Sequence, residues 1–200
     1  MTQATPRVTP RKRTVTLPEP IRAAYSEVRQ AIDRWQVKAG RRNERAVVDL
    51  LHTDLRPGDT CVDLGAGVGL ATVFMANLVG AAGRVYAFEA DPNNGPRLLT
   101  NARWCGLAER ITLATSTTPP RLDDYFPPEQ PIDLVRVGPV GDEAGVLDGM
   151  TRTLAQHRPT LLVECRSEAG WHACARLARH GYVLRDARRQ PVDPASCPPL

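Results

Sequence analysis

The nine residues Cys61–Gly69, CVDLGAGVG, constrain the fold more than any other stretch. A short apolar run ends in glycines at alternate positions and passes into a second apolar run, GLATVFMANLVG. That order reads as a buried strand, a tight loop and a helix. Glycines supply positive φ and let a ligand approach the backbone. The first turn of a helix adds N–H groups with no partner inside it. In sheets built from such units, ligands sit beyond the carboxyl ends of the strands.

The pattern continues. RVYAFEAD is a strand, NNGPRLLTNARWCG a helix and RITLATST a strand. A proline-rich loop then carries RLDDYF. IDLVRVG is a fourth strand, DEAGVLDGMTRTLAQH one helix, TLLVECR a fifth strand and EAGWHACARLARHG a helix. YVLRDARRQPVDP closes the chain as an antiparallel pair. Strands alternating with helices predict a parallel sheet covered on both faces, and right-handed crossovers make it doubly wound. Upstream, Ile21, Ala24, Tyr25, Val28, Ile32 and Trp35 recur at helical spacing, and a second helix runs near 43–52. The expected division is a flexible basic arm over 1–18, a helical segment over 19–53 and a ligand-binding domain over 54–200.

Composition removes several function classes. No apolar run approaches the roughly 20 residues of a membrane helix. The five cysteines (Cys61, Cys105, Cys165, Cys174, Cys197) show no CxxC and no metal spacing. An odd, scattered set fits a reducing cytoplasm and no metal site. The net charge of +4 owes much to Arg7, Arg11, Lys12 and Arg13. No aromatic is interleaved there for base stacking, so nucleic acid is disfavoured as a partner. A small-molecule acceptor is expected, with no membrane partner, and a homodimer is compatible with the sequence.

Glu89 follows Gly65 by 24 positions, at the end of the second strand beside Ala90. An acid there is placed to hold ribose hydroxyls, in a nicotinamide dinucleotide or in S-adenosylmethionine (SAM) alike. Two details favour SAM. The glycine spacing is G-x-G-x-G, and Asp63 stands two residues before the first glycine. A carboxylate there suits the cationic amino-acid end of SAM and repels a pyrophosphate.

These motifs resemble the FkbM family of class I SAM-dependent methyltransferases. VDLGAGVGLAT, VYAFEADPNNGPRLLTNARWCGL, RLDDYF and IDLVRVGPVGDEAGVLDGMTRTLAQHRPTLLVEC match its elements in order, over roughly residues 55–185. The resemblance implies a Rossmann-like, doubly wound, mostly parallel seven-stranded sheet. It also implies SAM as cofactor and O-methylation of a small molecule or sugar. By position it implies cofactor contacts from Asp63, Gly65, Gly67, Gly69, Glu89, Ala90, Ser116 and Gly138. Asp91 and Asn101 fall on matching positions.

One segment departs from the family. Its usual form is close to IKIDVEGAE; here Val135–Glu143 reads VRVGPVGDE. Gly138 stands for the strand-end Asp and Val140 for the Glu. A general base contributes about 10²–10⁴-fold where a nucleophile needs deprotonation. The candidates to replace it are Glu164, at the end of the fifth strand, and His172. Glu143, Asp123 and Asp124 are further acids near the rim, and Trp171 and Tyr125 are candidates to shape an acceptor pocket. Two alternative readings remain: a silent SAM-binding or partner-binding module, and a nicotinamide-dependent oxidoreductase.

Overall fold

The computed structural model describes residues 43–115, 121–165 and 167–195. The predicted arm and first helix, Ser116 and Cys197 lie outside them. Helix α1 (Asn43–Asp54) leads into β1 (Thr60–Leu64), α2 (Leu70–Val79), β2 (Arg84–Glu89), α3 (Asn94–Trp104) and β3 (Ile111–Thr115). A single helical turn, α4 (Leu122–Tyr125), precedes β4 (Leu134–Val137). Then come α5 (Glu143–Asp148), α6 (Thr151–Gln156), β5 (Thr160–Val163) and α7 (Glu168–Arg176).

The strands form one sheet in the order β3-β2-β1-β4-β5, every pair parallel. The switch between β1 and β4 follows from right-handed crossovers wound outward in both directions. Register sorts the side chains. Asp63 pairs with Ala87 on one side and Arg136 on the other, and Arg136 pairs with Leu162. Residues two apart share a face, so Asp63, Glu89 and Arg136 lie on one face. Val62, Leu64, Phe88, Val135 and Val137 occupy the other. There they pack with Leu122, Phe126, Val146, Leu147, Met150, Leu154, Ala173, Cys174 and Leu177 in one buried cluster. Among the described residues no helix is long and apolar enough to cross a membrane.

Three expectations change. The described chain has five strands, not seven. The segment after residue 181 makes one antiparallel bridge, Arg185 to Pro191, flanked by bonds from Asp186 N–H to Gln190 O and from Val192 N–H to Leu184 O. Pro191 lacks a donor, Arg189 turns the chain at φ 63, and Arg185–Gln190 offers no apolar alternation to lay on the core. The single helix expected over 142–157 is two. Gly149 ends α5, and a Cβ there would lie 3.1 Å from Arg121 Cα. The close approach of the RLDDYF segment breaks the helix at a residue without a side chain. Finally, RLDDYF is a helical turn, anchored by buried Leu122 and Phe126. Asp123 accepts from Arg152 N–H at 2.7 Å and Thr153 N–H at 2.9 Å, so it caps α6.

Candidate cofactor and active site

The loop after β1 folds as its glycines require. Gly65, Gly67 and Gly69 take φ of 72, 58 and 90. The N–H groups of Gly65 and Ala66 both donate to Phe88 O, at 3.0 and 3.1 Å, pinning the loop to the end of β2. From the other side α3 braces it. Asn101 Nδ2 donates to Val68 O at 2.9 Å, and Leu98 Cγ lies 2.5 Å from where a Cβ on Gly69 would stand. Asn101 therefore supports the loop.

Glu89, buried at the tip of β2, faces this loop. One carboxylate oxygen accepts from Gly67 N–H at 2.5 Å. The other accepts from Asp91 N–H at 2.8 Å and Asn94 Nδ2 at 3.3 Å. A carboxylate offers about four lone-pair positions, so three donors leave room for an incoming hydroxyl. Beside it, nothing lies within 4 Å of a Cβ built on Gly67, so the loop opens onto free space there. Helix α2 starts at Gly69 with no side-chain cap and no acid in its first turn. Such an uncapped start attracts an anion. Ala90 is exposed next to Glu89, and Asp91 turns away to cap Asn93. Tyr125, 44% exposed, meets Phe88 edge-on at 4.8 Å.

Asp63 does not face that space. It is fully buried, accepting from Thr72 Oγ1 at 2.6 Å and from Arg136 Nη1 at 2.6 Å. Arg136 Nη2 in turn pairs with Glu164. Burial alone would lower the pKa of Arg136, but the charges and hydrogen bonds of Asp63 and Glu164 more than offset it and hold the guanidinium charged. Asp63 thus ties α2 and β4 to β1 instead of offering a surface to a cofactor, and Glu164 is committed to an ion pair. In the sequence Arg136 keeps the basic residue of the resembled fourth-strand pattern, and only the sheet shows Asp63 in register with it.

The fourth-strand segment forms the floor. Gly138 is buried and donates to Leu64 O at 2.8 Å. Val140 Cγ1 lies 2.9 Å from the position of a Cβ on Gly65. Asp142 caps α5 by accepting from Gly145 N–H at 2.9 Å, and buried Glu143 accepts from Ser167 Oγ at 3.3 Å. His172 is on the outer face of α7, its side chain 65% exposed and 3.6 Å from Glu168. Trp171 is buried in packing. The structure therefore groups Gly65, Gly67, Gly69, Glu89, Gly138 and Tyr125 around the strand ends, and leaves Asp63 and His172 outside. Among the described residues no group of His, Cys, Asp or Glu is arranged for a metal.

Known proteins point the same way. The family model described as protein-L-isoaspartate(D-aspartate) O-methyltransferase matches residues 6–101. A probable cobalt-precorrin-6B C(15)-methyltransferase (decarboxylating) of Pyrobaculum calidifontis is 35% identical over 78 residues, 36% of this chain. The match spans 40% of that relative's length. Among solved structures, a precorrin-6y C5,15-methyltransferase of Geobacter metallireducens superposes with a TM-score of 0.54 at 23% identity. It covers 67% of this chain and 69% of its own. A SAM-dependent O-methyltransferase of Thermotoga maritima gives 0.51 at 18% identity, covering 73% and 58%. Sheet order, glycine loop and these likenesses agree: the chain has the class I methyltransferase fold, a parallel sheet flanked by helices.

Proposed function

We propose that this chain is a SAM-dependent methyltransferase that transfers the methyl group to an oxygen of a small molecule. The observation that carries the reading is Glu89, held at the tip of β2 against a glycine loop that opens onto free space over Gly67. Glu89 is placed to accept from ribose hydroxyls, and the uncapped start of α2 to receive the carboxylate of the amino-acid end. Bound there, SAM supplies an electrophilic methyl group on a sulfonium that is already a good leaving group. The chain's own contribution is orientation and proximity.

No acid at the end of β4 is available to deprotonate an acceptor. Gly138 has no side chain, Glu164 is paired with Arg136, and Glu143 is buried against Ser167. This favours an acceptor that is already nucleophilic near neutral pH, such as a carboxylate or an acidic phenol. The order of motifs supports an FkbM-like assignment within the fold. A second reading, a SAM-binding module without turnover, is favoured by the same empty β4 position.

Titration calorimetry tests the first step: SAM and S-adenosylhomocysteine bind, NAD does not, and Glu89→Ala weakens SAM by roughly ten- to a hundred-fold, the worth of hydrogen bonds to a charged group. Tight NAD binding without SAM binding would refute both readings. Transfer of labelled methyl to carboxylate or phenol acceptors then separates enzyme from silent module.

A further inference from the structure

We propose that Cys165 and Cys174 form an oxidation site, at which a peroxide converts the two thiols into an intramolecular disulfide joining the end of β5 to α7. Both are reduced thiols in the structure. After burial, the nearby Cys165 is the next influence on the Cys174 thiol, so the two side chains are neighbours. Geometry brings them together from two elements. Cys165 directly follows the Glu164 that pairs with Arg136, and its Sγ donates to Ser167 O, the residue that caps α7, at 3.4 Å. That sulfur lies 3.2 Å from where a Cβ on Gly170 would stand. Gly170 is one turn before Cys174 on the same buried face of α7. Because residue 170 has no side chain, that turn of α7 leaves room for the Cys165 sulfur beside it. Ser167 Oγ and Glu143 Oε2 reach the same point, at 3.1 and 2.9 Å, and make the thiol pair part of a polar cluster.

The two thiols differ in exposure, which sets the order of events. Cys165 is half-buried and Cys174 is buried at 7%. Burial, then the proximity of Cys165, pushes the Cys174 thiol up to about 12. Cys165 therefore meets the oxidant first. Its sulfur attacks one oxygen of the peroxide, the O–O bond breaks, and the thiol proton leaves with the other oxygen as water or alcohol. This leaves a sulfenic acid at Cys165. The sulfur of Cys174 then attacks that sulfur, the S–O bond breaks, and hydroxide takes the Cys174 proton and departs as water. Two thiols are oxidised and one peroxide is reduced. The crosslink locks the strand end that carries Glu164 to the helix behind it, so redox state and the charge network of the site share one segment. The likeness to methyltransferases plays no part in this assignment.

The test uses the full chain treated with a small excess of hydrogen peroxide, alkylated under denaturing conditions, digested and analysed by mass spectrometry. The expected result is loss of two of the five cysteine thiols and a single crosslinked peptide, Cys165 to Cys174, reversed by dithiothreitol. Cys174→Ser should stop Cys165 at a sulfenic acid that dimedone traps. Cys165→Ser, at the half-buried position, should leave Cys174 fully alkylatable after the same treatment. The proposal is overturned if both cysteines stay alkylatable while others oxidise, if Cys165 pairs with another cysteine, or if Cys174 oxidises in the Cys165→Ser chain. SAM affinity, measured separately, can fail without touching any of these outcomes.

Discussion

A Cβ on Gly138 would lie 2.9 Å from Gly65 O, 3.0 Å from Leu64 O and 3.1 Å from Arg136 Nη1. Two of these neighbours are backbone carbonyls of β1 and its loop, which have little freedom to move. Placing an acid here is therefore not a repair. Gly138→Ala should cost about 1–3 kcal/mol by overpacking, and Gly138→Asp more, because its carboxylate enters a crowded, carbonyl-lined position. Urea midpoints measure both, and neither variant should gain methyl transfer. Arg136→Met should cost about 3–5 kcal/mol, since it leaves Asp63 buried without its partner. An unchanged urea midpoint for Arg136→Met would show that the buried pair contributes nothing to the fold. The sequence displayed every one of these residues. It did not display that Asp63 and Arg136 face each other across the sheet, because that pairing depends on β1 lying beside β4, 73 residues away in the chain.

Elements position the site through their ends. Helix α2 begins without a side-chain cap, where Gly69 at φ 90 permits the turn and Leu98 of α3 fills the space beside it. Gly69→Ala should push α3 and the loop apart. SAM affinity should fall more than in a control substitution at exposed Thr100, and calorimetry reads the difference. Helix α6 instead begins with a borrowed cap. Asp123, 30 residues upstream, accepts from Thr153 N–H and Oγ1. Asp123→Ala should cost about 1–2 kcal/mol, the worth of a helix cap, without changing SAM affinity. Strand and helix existence was readable from hydrophobic period at nearly every element. The split of α5 from α6 was not, because a single glycine inside a helical pattern is often tolerated, and here the packing of Gly149 against Arg121 makes it the break.

At the scale of the whole molecule, two buried thiols among the described residues, Cys61 and Cys174, give the stability a pH edge, burial raising both. Cys174 is raised from 9.0 to about 12 by burial. Its folded value lies above its unfolded one, so the contribution is complete below pH 9 and is lost as pH rises toward 12. The Tm of the reduced chain should fall above pH 9, and Cys174→Ala should lessen that fall, Cys61 supplying the rest; an equal fall in both would exclude the Cys174 thiol as a source. Among the described residues the sheet ends at β5: Tyr182 and Leu184 pack against the core, but the chain beyond them turns back on itself at Arg189 instead of extending beside β5. Short-range physics was enough for the sequence by itself to determine the strand–glycine-loop–helix unit, the alternation that makes a parallel sheet, and an acid at the tip of β2. Those features arise from hydrophobic period and from the φ angles that glycine alone takes freely. Only the tertiary structure decided that Asp63 and Glu164 are spent on Arg136, that Gly138 has no room for a side chain, and that the Cys165 sulfur lies beside Gly170 of α7. Each depends on which strands and helices become neighbours, and hence on contacts between residues that the chain keeps far apart.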